Sequence, residues 1–174
     1  MPRKFTPNPF RIFKDTAIVG LTDKSGFVVS EFLVDICDLD LVLTYGRWSR
    51  VIDRRTGRYY VQNVTTRGTV LLHRLLTDAP KSLVVDHKNH DGLNNRRSNL
   101  RVCEIGHNNQ NREGANRNGS SGYRNVYWVP KINKWLVRFR IGGRDVSGGY
   151  FESLDMAIVA VAEGRKVLFP YATN

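Results

Sequence analysis

The sequence predicts an α+β fold: small β hairpins first, then a three-stranded antiparallel sheet packed on one helix. Three observations predict it. Short apolar runs are separated by turn-forming clusters over the first eighty residues. A polar stretch with nine asparagines and five arginines follows, from residue 89 to residue 118. The last fifty residues then alternate apolar and cationic side chains with period two before a capped, one-sided helical stripe.

Taken in order, residues 1–16 carry three prolines and little pattern, and they are expected to form an extended arm. Residues 17–21 and 26–29 flank Asp23-Lys24-Ser25-Gly26, a turn composition, and are expected to pair as a hairpin. A short helix is expected around residues 37–44. Residues 47–52 and 59–65 form a second expected hairpin across Asp53-Arg54-Arg55-Thr56-Gly57. A short strand at 69–72 leads into a helical turn at His73-Arg74-Leu75-Leu76. After Leu83-Val84-Val85-Asp86-His87 the polar stretch begins. Asparagine side chains compete for backbone hydrogen bonds, so this region reads as a loop, either solvated, pinned by its own polar contacts, or facing phosphate. Leu100, Val102 and Ile105 are its apolar anchor, at a spacing that permits a short helix.

Residues 114–122 have linker chemistry. They divide an expected first domain at 17–113 from a second domain at 123–174. Three strands are expected there, at 123–129, 134–141 and 146–151. In the middle one Trp135, Val137, Phe139 and Ile141 alternate with Lys134, Leu136, Arg138 and Arg140. Ser153 is the expected cap of a helix whose Leu154, Ala157, Ile158, Val161, Ala162 and Leu168 share one stripe.

Composition narrows the function. The chain has 174 residues, 27 Lys+Arg and 16 Asp+Glu, a formal net charge of +11. At 41% hydrophobic and 25% charged residues it is a folding chain. Its longest apolar run, residues 156–162, is too short to span a membrane, and no signal-peptide pattern opens it. Cys37 and Cys103 lie far apart with no CxxC, which argues against a disulfide framework and a cysteine zinc site. Nucleic acid is the expected partner of a chain this basic.

One constellation carries chemistry: Asp86-His87, then Asn99, then Asn108. An imidazole held by an amide can take a proton from water. A carboxylate with an amide oxygen suits a hard divalent cation, which stabilises a leaving oxygen. These parts make a phosphodiester hydrolase site, although Asp, His and Asn also abound in solvated loops. The run from Val84 to Arg101, VVDHKNHDGLNNRRSNLR, resembles the core of HNH nucleases, in the homing-endonuclease-like branch common in phages. Leu72-His73-Arg74-Leu75, Asn108-Asn109-Gln110-Asn111 and Gly46-Arg47-Trp48 are similar to that branch too. The resemblance implies a ββα-metal motif and a role for each residue. His87 would be the general base and Asn99 the residue orienting its ring, with Asp86 and Asn108 as metal ligands. Many relatives have His where Asn108 stands; Asn there points to Mg²⁺ or Mn²⁺. His107 is one residue away, about 100° around a helix. His87-x-x-His90 supplies only two of the four ligands of a zinc site.

A second constellation is cationic. Arg124, Lys131, Lys134, Arg138, Arg140 and Arg144 fall between residues 123 and 144 with no acid. Solvated faces usually mix signs, and a sheet with arginines on one face can lie in the major groove. Residues 121–128 (SGYRNVYW), with Lys134-Trp135, Arg138, Phe139, Gly149-Tyr150-Phe151 and the following helix, resemble the plant ethylene-response-factor DNA-binding domain, the AP-two fold. By that resemblance Arg124, Tyr127, Val129, Arg138, Arg140 and Ser147 occupy the DNA-facing positions. Asn125 stands where the family usually has Gly, and the target sequence stays open. The outer face is expected to present Arg124, Lys134, Arg138 and Arg140 with no acid nearby, and Tyr127 and Arg144 join them as expected DNA contacts.

Together the two resemblances imply a site-specific, metal-dependent HNH endonuclease of homing type. It would act on double-stranded DNA in the cytoplasm of a bacterial host, with no membrane, no small-molecule cofactor, and a monomer favoured. The rivals are a non-catalytic DNA-binding protein (a repressor or inactivated relative) and an RNA-binding protein. For the latter, Tyr127 with Trp128 is thin support as a stacking platform.

Overall fold

The structure, a computed structural model, describes residues 6–112, 114 and 121–172. Residues 1–5 of the expected arm and 115–120 of the expected linker lie outside the described residues. The fold is mixed α and β, with small antiparallel sheets and four α-helices among the described residues. It divides into two compact units, residues 1–108 and 109–174. No helix among the described residues is long and apolar enough to cross a membrane.

The first unit opens on the antiparallel sheet β1 (Phe10–Phe13), β2 (Thr16–Thr22) and β3 (Val28–Asp35). The turn after β2 forms where Asp23 stands, because its carboxylate accepts from the backbone N–H of Ser25 (2.8 Å) and of Phe27 (3.0 Å). Residues 10–13, expected within an arm, instead pair with β2. Asn8 anchors them: it is 4% exposed, donates to the Gly20 carbonyl at 2.7 Å, and accepts from Trp48 N–H at 2.7 Å. A single amide thereby makes up for donors the neighbouring prolines lack.

A 3-10 turn leads into α1 (Leu39–Tyr45), and the second sheet follows as β4 (Ser49–Ile52), β5 (Tyr59–Thr65) and β6 (Gly68–Leu71). Next comes α2 (Leu72–Thr77), which buries Leu72 and Leu76. Ala17, Val19, Phe32, Val34, Trp48, Val61, Leu72 and Leu100 share one core.

A two-stranded hairpin, β7 (Val84–His87) with β8 (Leu100–Cys103), precedes α3 (Ile105–Gln110). The apolar anchor is therefore a strand over Leu100 and Val102, where a helix was expected, and the helix begins at Ile105. Leu100 and Val102 share one face of β8, opposite His87 and Val85 in the register; Leu100 is buried at the core, while Val102, farther along the strand, is 39% exposed.

The second unit is the sheet β9 (Val126–Val129), β10 (Lys134–Ile141) and β11 (Arg144–Phe151), in the order β11-β10-β9, covered by α4 (Leu154–Leu168). Ser153 caps α4 by accepting from Met156 N–H at 3.2 Å. Val137, Phe139, Ala157 and Val161 form the core. Gly164 lets the helix close on the sheet, since a Cβ there would lie 2.5 Å from Phe139 Cζ. Ser121, expected in the linker, is 9% exposed and bonds the Val126 carbonyl at 2.7 Å. That bond makes a turn of residues 121–125 and delays the first strand to Val126.

Candidate active site

His87 ends β7, and its ring enters a buried pocket. The ring is 5.1 Å from that of His73, edge to face, and 5.7 Å from that of Tyr60. Its Nε2 lies 3.3 Å from Oδ1 of Asn95, a residue 0% exposed. The Asn95 amide has one available orientation, because its Nδ2 donates to the Gly92 carbonyl at 3.2 Å. Oδ1 can only accept, so Nε2 of neutral His87 carries the hydrogen and Nδ1 carries the lone pair. Burial lowers the proton affinity of His87, against smaller raising effects of the Asn95 bond, Asp86 and Asp91. The ring is thereby held in the neutral form that can accept a proton.

Asn99 does not make this contact. Its amide accepts from Asn89 N–H (3.1 Å) and donates to the Asn94 carbonyl (2.7 Å), so it braces the loop after His87. The ring contact expected of Asn99 is made by Asn95, one of nine asparagines that spacing alone did not separate. The loop is a pinned structure. Asn95 N–H donates to Leu33 at 2.8 Å and Leu33 N–H to Leu93 at 2.9 Å. Arg96 pairs with Asp35 (2.9 Å) and Asp15 (2.7 Å), and Arg97 with Asp38 (2.7 Å). These two arginines are committed to acids of the same unit.

Asp86 lies on the opposite face of β7 from His87, paired with Arg101 across the hairpin. Arg101 donates to Asp86 Oδ2 from Nη2 (2.6 Å) and Nε (2.9 Å). Cys103 shares this face. Burial raises its thiol pKa and the Asp86 charge adds to that, while the Asn108 backbone N–H opposes it. The thiol thus lies near the Asp86 carboxylate and the backbone N–H of Asn108. The two residues expected to hold a metal would offer a carboxylate and an amide oxygen, the chemistry of a hard cation. Among the described residues no three His, Cys, Asp or Glu side chains gather as a metal-binding group. His90 takes a left-handed backbone (φ 64°) and lines a groove with Arg58 and Tyr59.

His73 is 6% exposed, and its Nδ1 is buried with no hydrogen-bond partner. Burial, then the neighbouring His87 and Arg74, lower its pKa to about 3, so it is neutral. Arg74 is spent on the Leu83, Ala79 and Pro80 carbonyls.

In the second unit Tyr127 lies under the Arg138 guanidinium, 4.7 Å from it. The expectation of a face without acids is corrected. Asp145, opposite Arg140 in the strand register, is 3.5 Å from Arg138 and 3.8 Å from Arg140. Glu152 is 3.5 Å from Lys134. Asp145 is one residue past the acid-free run and Glu152 follows β11, and the hairpin places both beside cations of β10. Arg144, at the start of β11, is exposed. Arg124 donates to the Asn109 carbonyl (3.1 Å) and to that of Arg112, which ties it within its own unit. Burial, with Arg165 and Arg112 nearby, lowers its pKa to about 10.

Residues 78–110 match the family model described as HNH endonuclease. The matched segment is a minority of the chain and contains Asp86, His87, Asn95, Asn99, Arg101 and Asn108. It supports an HNH-type nuclease, and with it DNA as substrate. No curated protein and no solved structure matches the chain.

Proposed function

We propose that the protein is a metal-dependent, site-specific DNA endonuclease of the HNH homing type, hydrolysing phosphodiester bonds in double-stranded DNA. The observation that carries this reading is the buried His87 whose tautomer Asn95 sets, inside the segment matching HNH endonucleases. His87 takes a proton from the attacking water through Nδ1. Asp86 and Asn108 would hold a single Mg²⁺ or Mn²⁺, on a β7–β8–α3 arrangement that we read as a ββα-metal motif. Such a cation, when bound, stabilises the charge developing on the 3′-oxygen leaving group. Asn99 keeps the loop after His87 in shape. Tyr127, Lys134, Arg138, Arg140 and Arg144 present an AP-two-like sheet to duplex DNA, and Arg124 holds the backbone before that sheet. A phage or mobile-element setting in a bacterial cytoplasm belongs to this reading.

A second reading has one observation in its favour. Arg101 already neutralises Asp86, as in a site that binds DNA without cutting it. A metal titration of plasmid nicking separates the two. In the nuclease, Asp86→Ala and Asn108→Ala each raise the Mg²⁺ needed for half-maximal nicking, and His107→Ala does little. A wild-type protein that binds plasmid but leaves it intact at all Mg²⁺ and Mn²⁺ concentrations supports the second reading.

A further inference from the structure

Between residues 46 and 77 stand seven arginines and one acid, Asp53. Arg74 turns inward, and Arg47 is tied to Thr22 (2.7 Å) and the Asp23 carbonyl (3.0 Å). The others belong to the β4–β5–β6 sheet and its turns. Asp53 offsets only part of this charge: its carboxylate accepts from Arg55 N–H at 2.8 Å, which shapes the turn, and it interacts with the Arg55 charge. The turn consequently projects Arg54 and Arg55, both exposed, at the tip of the β4–β5 hairpin. Behind them Arg50 is exposed and held 4.7 Å over the Tyr59 ring, which limits its rotamers.

The hairpin is joined rigidly to the loop that positions His87. A Cβ on Gly92 would lie 2.2 Å from the Tyr59 carbonyl oxygen and 2.7 Å from Tyr60 Cδ1, so strand and loop touch with no room between them. The Tyr60 ring in turn packs near His87. A groove runs between the two, with Gly57, Arg58 and Tyr59 on one bank and residues 89–93 on the other. Five arginines against one acid on a fixed sheet beside the proposed hydrolytic site differ from an ordinary solvated face, which mixes signs more evenly.

We propose that the β4–β5 hairpin is a DNA-backbone clamp of the first unit, in which Arg50, Arg54 and Arg55 neutralise phosphates flanking the bond presented to His87. This rests on the nuclease reading for its location, and its binding test does not depend on cleavage. The tip lies about three to five residues beyond Tyr60, roughly 10–16 Å at about 3.3 Å per residue. At about 3.4 Å per base pair, a hairpin lying along the duplex reaches phosphates about three to five base pairs from the scissile bond. The ligand is the backbone, so the hairpin adds affinity and register, and base identity plays no part.

The test is the salt dependence of duplex binding by the full-length protein, measured by fluorescence anisotropy in EDTA on a 30-base-pair DNA. Each neutralised phosphate contributes about 0.9 to the slope of log affinity against log salt. Arg54→Ala/Arg55→Ala should flatten the slope by roughly 1.8, and Arg54→Lys/Arg55→Lys should keep it, because phosphate contact needs charge. An Ala pair with the wild-type slope overturns the clamp. So does a Lys pair that loses as much slope as the Ala pair, since the loss would then come from a distorted turn. Loss of cleavage with binding unchanged also overturns it.

Discussion

Replacing Asn95 with Ala tests whether the account has the right partner for His87. The substitution keeps the backbone bond to Leu33 and removes only the amide. It leaves two buried groups without these partners, the Nε2–H of His87 and the Gly92 carbonyl. Each unsatisfied buried polar group costs about 1–3 kcal/mol, so the first unit should lose roughly 2–6 kcal/mol against denaturant. The catalytic loss is separate. Without Oδ1 nothing at that position holds the hydrogen on Nε2, and a hydrogen on Nδ1 abolishes its function as a base. Nicking at saturating DNA and Mg²⁺ should fall at least about tenfold, towards the ~10²–10⁴ lost when a general base is removed. Asn95→Asp keeps an acceptor at Nε2 and should recover more activity than Asn95→Ala at equal folded fraction. Rates are compared on supercoiled plasmid at a temperature where melts show both variants folded. A folded Asn95→Ala protein that nicks at the wild-type rate refutes the tautomer argument.

His73 gives the first unit a pH-dependent stability. Its folded pKa, about 3, lies below the ordinary value of 6.5. Its contribution is therefore complete above pH 6.5 and is lost as pH falls toward 3, at about 1.4 kcal/mol per pH unit. Between pH 6.5 and 5 the loss is about 2 kcal/mol; His73→Phe, which keeps the ring contacts but cannot titrate, should remove that part in urea melts at pH 7 and 5, and equal losses in both proteins would refute it. Arg101→Ala leaves the 9%-exposed Asp86 side chain without its ion pair, at a cost of roughly 3–5 kcal/mol. If Asp86 is a metal ligand, added Mg²⁺ should raise the melting temperature of this variant more than that of wild type. An equal or smaller rise would count against the metal assignment.

The hairpins were legible because turn chemistry is local: Asp23 and Asp53 each bond the backbone two residues ahead. The capped helix after Ser153 was legible for the same reason. The spacing of Asp86, His87, Asn99 and Asn108 pointed to the right segment, yet it could not say which asparagine touches the imidazole. That depends on the loop docking on β3 through Leu33, a pairing more than fifty residues away in sequence. Long-range ion pairs hid the fate of Arg96 and Arg97, which look identical to phosphate-binding arginines until Asp15, Asp35 and Asp38 are in place. Asp145 lies one residue past the acid-free run, and only the hairpin pairing places it beside Arg140. Leu100 and Val102 were open to either period, since two apolar residues at i and i+2 are a strand only once β7 is there to pair with.

The central claim is that His87 is the base of a metal-dependent nuclease, and its most direct test is nicking of supercoiled plasmid by wild type and His87→Ala, with Mg²⁺ and with EDTA. The account predicts cleavage by wild type only with the metal, and a loss of about 10²–10⁴ in rate for His87→Ala with duplex binding nearly unchanged. Cleavage by His87→Ala at the wild-type rate, or wild-type cleavage that EDTA leaves untouched, would contradict it.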